Sequence, residues 1–249
     1  MPVAGAHRRR PRVADLEQLL VVQSHDTGCD RLEHRKSTLP IREGLANARS
    51  QLSGFQTTLR NVESRREEAE AGRQKLEATV AEADRRISEI EARMFGGTVT
   101  AARDLESMST EVVHLKERRS GLEDEALVAM EVAEAATAAV VSASAAVVGA
   151  QAEVSRLEAE LVVAESEIDQ LLAEERTQRE AAASLVPVEL LAAYETLRTK
   201  LGGVGAARLV GDTCSGCHLS LPSGEIERIR REPPDTVCYC DNCQRILVR

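Results

Sequence analysis

No tryptophan occurs in this sequence, and only two phenylalanines and two tyrosines are found among its 249 residues. A single compact core normally draws on such side chains, so their scarcity argues against an ordinary globular domain. Prolines inform by position. Seven occur, and none lies between Pro40 and Pro187, a gap that leaves room for long uninterrupted helices. Long apolar runs are missing too. The one extended uncharged stretch, Ala135 to Ala150, is mostly Ala, Val and Ser, and is expected to be too short and too weakly apolar to span a bilayer. Residues 1–12 lack the apolar run of a secretory leader, so neither export nor a membrane partner is expected.

What is present is charge and small helix formers. Charged residues make up 29% of the chain, and its formal net charge is -9, the composition of coiled coils and long helices. The charge is unevenly spread. Residues 1–12 carry four arginines and no acid, residues 13–184 carry 20 basic against 33 acidic groups, and residues 185–249 carry eight of each. No domain is broadly basic, so nucleic-acid binding has to be argued from local patches. Residues 1–12 read as a disordered basic N-terminus.

From Val13 to about Lys36 a first helix is expected, with Leu16, Leu19, Leu20 and Leu32 on its apolar side and Cys29 as a lone thiol. Pro40 suits the first turn of a second helix, capped by Ser37 or Thr38. A heptad seam then runs from Ile41 to Met94 in steps of four and three, its sixteen positions apolar except for Arg66 and Arg73. Phe95-Gly96-Gly97-Thr98 breaks the pattern with the residues that end helices and reverse chains. A second seam runs from Leu105 to Leu171, with Arg119 the one polar residue in its twenty positions. The two arms predict an antiparallel coiled-coil hairpin over residues 13–185 with its turn near 95–100.

Pivoting the hairpin on Gly97 sets residues 135–150 against 44–59, both rich in small side chains, and sets Arg66 and Arg73 against Glu123-Asp124-Glu125. At about 1.5 Å per residue the arms predict a rod on the order of 120 Å long. Pro187 opens a connecting helix through Leu201, with Leu190, Leu191, Tyr194 and Leu197 on one side. Gly202-Gly203-Val204-Gly205 reads as a flexible joint, so residues 186–205 connect the hairpin to a separate domain over 206–249.

That domain carries Cys214-Ser215-Gly216-Cys217 and Cys240-Asp241-Asn242-Cys243. Each pair curls so that two sulfurs point the same way, and together they offer one tetrahedral ion four thiolates. The 22 residues between the pairs slightly exceed the common spacing of about 15–20. The excess holds a short helix over Glu225–Arg231, with Ser223 as its N-cap and Pro233-Pro234 as its stop. Strands are expected at Ala207–Val210 and Ile246–Val248. Cys238 reads as a strand cysteine and His218 as a solvated neighbour of the first knuckle. Four thiolates leave no open position for a reactive water, so the zinc is structural. No nucleophilic triad, phosphate-cradling loop or small-molecule site is visible, and the chain is expected not to be an enzyme. Thiolate chemistry without a disulfide pattern fits the cytoplasm.

The order of parts carries a resemblance. A hairpin with a Met-Phe-Gly-Gly turn, Tyr194-Glu-x-Leu-Arg198, Gly203-Val-Gly-Ala206, Cys-x-x-Cys-His-x-x-Leu-Pro and Cys-x-x-Cys-x-Arg-Ile-Leu together resemble the bacterial four-cysteine (C4-type) zinc-ribbon and coiled-coil family. The resemblance implies zinc on Cys214, Cys217, Cys240 and Cys243. It also implies nucleic-acid-binding or transcription-associated adaptors, with links to sigma factors and messenger RNA in some lineages. Two departures bear on the second knuckle: Gln244 stands where the family commonly has Gly, and Cys238 is additional. The expected partner is therefore a protein of the gene-expression machinery or a nucleic acid, RNA or DNA, with Arg208, Arg228, Arg230, Arg231, Arg245 and Arg249 as its basic edge. The alternative is a protein-binding scaffold or chaperone acting through the acidic coiled coil.

Overall fold

The computed structural model describes residues 12–97 and 99–249; the expected disordered N-terminus lies outside them except for Arg12. Among the described residues five helices and four short strands follow in order. Helix α1, Val13–Ser37, starts where the Asp15 carboxylate accepts the Arg12 backbone N–H at 2.7 Å and ends with His34, Arg35 and Lys36 in its last turn, the charge order its dipole favours. The hydroxyls of Ser37 and Thr38 both donate back to the His34 carbonyl at 2.8 Å. They finish α1 and do not cap α2, Pro40–Phe95, whose first position is the proline itself. Gly96 and Gly97, the latter at φ 72°, close α2 before α3, Ala102–Ala183. Helix α4 spans Val188–Lys200.

The protein is mainly α, with a long helical hairpin and a small C-terminal strand region. It divides into two units: one takes Glu43–Glu158, the other the described residues up to Arg42 together with Ala159–Arg249.

In the first unit α2 and α3 run antiparallel. Ile87, Ile90 and Val112 are buried together, with Met94, Met108 and Leu115 against them. Ion pairs cross the seam: Lys116 to Glu91 at 2.7 Å, Arg119 to Asp84 at 2.9 Å and Arg49 to Glu158 at 2.6 Å. These partners lie farther along α3 than a pivot on Gly97 predicts, which would bring Arg49 level with Ala145. The reversal is wider than two glycines because it continues to Ala101. Arg73 consequently does not meet residues 123–125. It pairs with Glu70 at 2.6 Å and with Glu77 of its own helix, and shares a groove with Met130, Ala133 and Glu134. Phe55, a predicted seam residue, is 41% exposed.

Part of α3 is also more apolar than expected. Helix α3 as a whole contains an 18-residue window of mean hydropathy 1.6, enough by length and composition to cross a bilayer, of which 6% is buried.

In the second unit, α3 packs against α1. Lys36 reaches Asp169 at 2.6 Å and Arg176 reaches Glu33 at 2.9 Å. The change of partner rotates the seam: Leu172 is buried, whereas the expected Leu171 is exposed. Leu16, Leu19 and Val22 of α1 join Ala182, Ala183, Val186, Leu190 and Tyr194 in one core, completed by Ala206, Ile246 and Val248. Each large aliphatic side chain buried there contributes roughly 1.5–3 kcal/mol.

Those last three residues belong to a four-stranded sheet of order β2-β1-β4-β3, formed by β1 Ala206–Val210, β2 Thr213–Cys214, β3 Cys238–Tyr239 and β4 Ile246–Val248. Strands β1 and β4 pair in parallel, Ala206 opposite Ile246. Alternation along each strand splits the side chains between two cores. Ile246 and Val248 face α1 and α4, while Leu247 packs with Ala207, Leu221, Ile226 and Ile229. The two isoleucines come from α5, Ser223–Arg231. Pro222, not Ser223, is its N-cap, and the Pro222 carbonyl accepts from Glu225 and Ile226 at 2.9 and 3.1 Å.

The glycine-rich segment before the sheet is not a flexible joint. The Gln23 side-chain oxygen accepts the Gly205 N–H at 2.7 Å, and its nitrogen donates to the Gly203 carbonyl at 3.0 Å. Arg245 Nε donates to the Val204 carbonyl at 2.9 Å. A Cβ on Gly205 would come within 2.7 Å of the Tyr194 carbonyl. Close backbone approach, more than freedom, is what demands glycine there.

Candidate metal centre

Cys214 ends β2, Cys217 follows in the turn beyond it, and Cys240 and Cys243 flank the turn between β3 and β4. Both turns close alike. The His218 N–H donates to the Cys214 carbonyl at 2.8 Å, and the Gln244 N–H to the Cys240 carbonyl at 2.7 Å. To make these closures His218 adopts φ 57° and Gln244 φ 61°, the left-handed region that favours glycine. The absence of glycine at Gln244 thus changes the cost of the second knuckle, not its shape. Gly216 is required for space: a Cβ would lie 2.6 Å from the Arg245 Cδ. The Arg208 N–H and the Ser215 Oγ join the first knuckle to β1 at 2.9 Å.

The four Sγ atoms all lie within 4.8 Å of one another. Cys214 and Cys243 are 3.9 Å apart, as are Cys217 and Cys240. A tetrahedral zinc with bonds of about 2.3 Å sets sulfurs about 3.8 Å apart, so the donor set fits that ion. Cys214 and Cys240 are fully buried. Burial pushes the Cys240 thiol up to about 12 and raises that of Cys214, against N–H donation from Gly216 and Cys217. Burial also opposes ionisation of Cys243, but the Arg245 backbone N–H and side chain outweigh it and hold that thiol at about 7. Zinc supplies the positive charge that lets all four ionise together, and cross-links the two turns.

Cys238 and His218 stand outside this group. Cys238 is buried on β3, its Sγ 3.7 Å from the Thr236 carbonyl; burial raises its thiol. His218 is exposed.

The six arginines are dispersed. Arg208 forms a two-pronged pair with Glu17 of α1 at 2.9 and 2.5 Å. Arg245 serves the Val204 and Leu201 carbonyls. Arg249 donates to the carbonyls of Ile229, Glu232, Pro233 and Thr236 at 2.5 to 3.3 Å, fixing the end of α5. The remaining three lie on α5: Arg228 pairs with Glu225, Arg231 with Glu227 at 3.0 Å, and Arg230 is exposed.

Sequence reasoning missed the groups that seat the ribbon: Gln23, and Asp26, which is 8% exposed and faces Arg179 at 3.3 Å. Their signal was available. Both continue the helical register of Leu16 and Leu19, where a solvated polar residue is out of place.

A helical hairpin bearing a four-cysteine zinc ribbon is the class that this fold and site define. Residues 22–202 match the family model of the CT398-like coiled coil hairpin domain, and residues 213–247 that of the C4-type zinc ribbon domain. The chain belongs to the CT398-like coiled-coil hairpin family. Both are structural domain families, not known enzymes. It is 27% identical over 237 residues to the uncharacterized proteins Rv2229c and MT2288 of Mycobacterium tuberculosis, covering 95% of this chain and 96% of theirs. A solved structure from Mycobacterium smegmatis superposes with a TM-score of 0.85 at 25% identity, covering 97% of this chain and all of that one. CT398 from Chlamydia trachomatis shares the fold at a TM-score of 0.67 and 20% identity, over 94% of this chain and 97% of its own.

Proposed function

We propose that the chain is a non-enzymatic zinc-binding adaptor whose acidic helical hairpin holds a protein partner of the gene-expression machinery. The observation that carries this reading is the use made of the ribbon's arginines. Arg208, Arg245 and Arg249 are engaged with a carboxylate or with backbone carbonyls of the same unit, so their role is accounted for without a phosphate. The hairpin, by contrast, exposes carboxylates beside large apolar side chains such as Leu127, Val128 and Val132, each more than half exposed. A photo-crosslinking residue in place of Glu131, on the exposed side of α3, is expected to capture one basic protein in cells. Capture of nucleic acid alone would overturn the reading.

A second reading rests on α5. Arg228, Arg230 and Arg231 are exposed there, Tyr239 is 40% exposed on β3, and glutamate partners within one helix exchange readily for phosphates. Nucleic-acid binding by this helix predicts a gel shift at low salt that Arg228→Ala, Arg230→Ala and Arg231→Ala abolish together. No shift at low salt removes it.

A further inference from the structure

The polar partners of α1 change between Gln23 and His25. In the first half of the helix, Glu17 holds Arg208 of β1, and Gln23 holds the backbone of Gly203, Gly205 and Ala206. In the second half the partners are helical. His25 faces Glu175 of α3 at 2.7 Å, Asp26 accepts from Tyr194 and Asp30 from Arg198 of α4 at 2.6 and 2.5 Å, and Lys36 reaches Asp169 of α3 at 2.6 Å. One half of α1 is thus tied to the sheet and the other to the helices.

The sheet is itself made of two halves. Strands β1 and β2 pair antiparallel and lead into the knuckle of Cys214 and Cys217, while β3 and β4 pair antiparallel around the knuckle of Cys240 and Cys243. The halves meet along the parallel β1–β4 pair, three residues long, and in the small core that Ile226 and Ile229 complete. Each half owns two of the four sulfurs, so a shared ion is a further tie across the same joint. The residues that pack with Leu16, Leu19 and Val22 lie on both sides of that joint: Ala206 in β1, Ile246 and Val248 in β4.

We infer that zinc on the four cysteines holds the first half of α1 in its seat, and that loss of the ion frees Val13–Gln23 while the second half stays packed. Two routes carry the tie. From the first knuckle, the Ser215 N–H donates to the Arg208 carbonyl and the Arg208 N–H to the Ser215 Oγ, both at 2.9 Å, and the Arg208 guanidinium holds Glu17. From the second, Arg245 lies against Gly216 and donates to the carbonyls of Val204 and Leu201 at 2.9 and 3.3 Å, fixing the segment that Gln23 binds. An independent ribbon would need strands that serve it alone. Here Leu247 faces the ribbon core and its neighbours Ile246 and Val248 face α1, so β4 cannot leave one core and keep the other. Domains this small owe much of their folding free energy to the metal. Without it the Gln23 amide, 7% exposed, loses its backbone partners, and three large aliphatic side chains lose the sheet above them. The result is an apolar helix side shown only in the zinc-free protein, whatever the hairpin holds.

Hydrogen exchange read by mass spectrometry on the full chain, zinc-loaded and after the ion is stripped with EDTA, tests the two halves of α1 separately. Without zinc, amides of residues 16–23 are expected to exchange at least about 10-fold faster, and those of residues 28–37 to stay within about 2-fold of the loaded protein. Linkage supplies a second readout, because whatever zinc lends to α1 is returned to zinc. Gln23→Ala, which removes no metal ligand, is expected to weaken zinc binding by about 5-fold or more in competition with a chromophoric chelator, whereas Lys36→Ala in the second half leaves it unchanged. Acceleration confined to residues 206–249, acceleration along the whole of α1, no acceleration in protein shown by elemental analysis to be zinc-free, or a Gln23→Ala chain that holds zinc as tightly as wild type would each overturn the inference.

Discussion

The hydroxyl of Tyr194 donates to the Oδ2 of Asp26 across 2.6 Å, joining residues 168 apart in the sequence. Tyr194 is fully buried and Asp26 nearly so. The same carboxylate faces Arg179 at 3.3 Å and Arg198 at 3.7 Å, so α1, α3 and α4 converge on one buried charge. Tyr194→Phe keeps the ring and removes the donor. Leaving a buried carboxylate short of a partner costs about 1–3 kcal/mol, and the urea midpoint is expected to fall accordingly with its slope unchanged. A midpoint within a few tenths of wild type would show that the arginines alone satisfy Asp26.

Alkaline pH should probe the same bond. Burial first, and then the Asp26 hydrogen bond, hold the Tyr194 hydroxyl well above the ordinary tyrosine value. A group whose proton is held more tightly in the folded state contributes stability that is present below its unfolded pKa, about 10, and is lost as pH rises beyond it. Urea midpoints are expected to drop above about pH 10, and to drop less steeply in Tyr194→Phe. Equal slopes in both proteins would contradict this.

Removing one metal ligand should unmake the ribbon. Cys240→Ser is expected to abolish stoichiometric zinc, measured by elemental analysis, because structural zinc supplies about 10–16 kcal/mol in such small domains. His218→Ala and Cys238→Ala retain the metal, since neither side chain belongs to the four-sulfur group. Zinc lost from Cys238→Ala and kept in Cys240→Ser would reverse the assignment.

Gln244 holds φ 61°, and only glycine does so without penalty. In Gln244→Gly, relief of about 1–2 kcal/mol is offset by about 0.4–1 kcal/mol of added freedom in the unfolded chain. Resistance to zinc removal by a chelator should therefore hold or rise slightly. Gln244→Val, stiff at its β-carbon, should release zinc faster than wild type. Equal release rates in the two variants would mean the turn relaxes to accommodate either residue.

The metal ligands were legible in the sequence because a Cys-x-x-Cys knuckle is local: two sulfurs three positions apart converge whatever surrounds them. The heptad seams were legible for the same reason, down to Ile87, Ile90 and Val112. Register was not. It depends on how far the chain travels between Gly96 and Ala101, and one or two glycines do not reveal that distance. Leu171 was mistaken for Leu172 because α3 changes partners from α2 to α1 along its length, and no single repeat describes a helix that packs on two neighbours. The arginines misled for a different reason. Arg245 and Arg249 donate to backbone carbonyls, which every residue possesses and no side-chain pattern announces. Gln23 was overlooked because its partners, Gly203 and Gly205, lie some 180 positions away.

That distance sets an order on how the molecule is made. The side of α1 carrying Leu16, Leu19 and Val22 leaves the ribosome early, yet the other buried groups of its core, from Ala182 to Val248, are synthesised only from the end of α3 onward. At about 5–20 residues per second, a wait of roughly 160 residues lasts on the order of 10–30 s. Throughout that interval the first helix is a nascent, sticky segment without its mate. The strand that finally covers it, β4, lies inside the sheet between β1 and β3 and contributes to both cores, so neither core can close before β4 is in place. A ribosome stalled short of that strand therefore carries α2 already paired with α3 while the core of α1 is still open, the form that a chaperone or protease would meet.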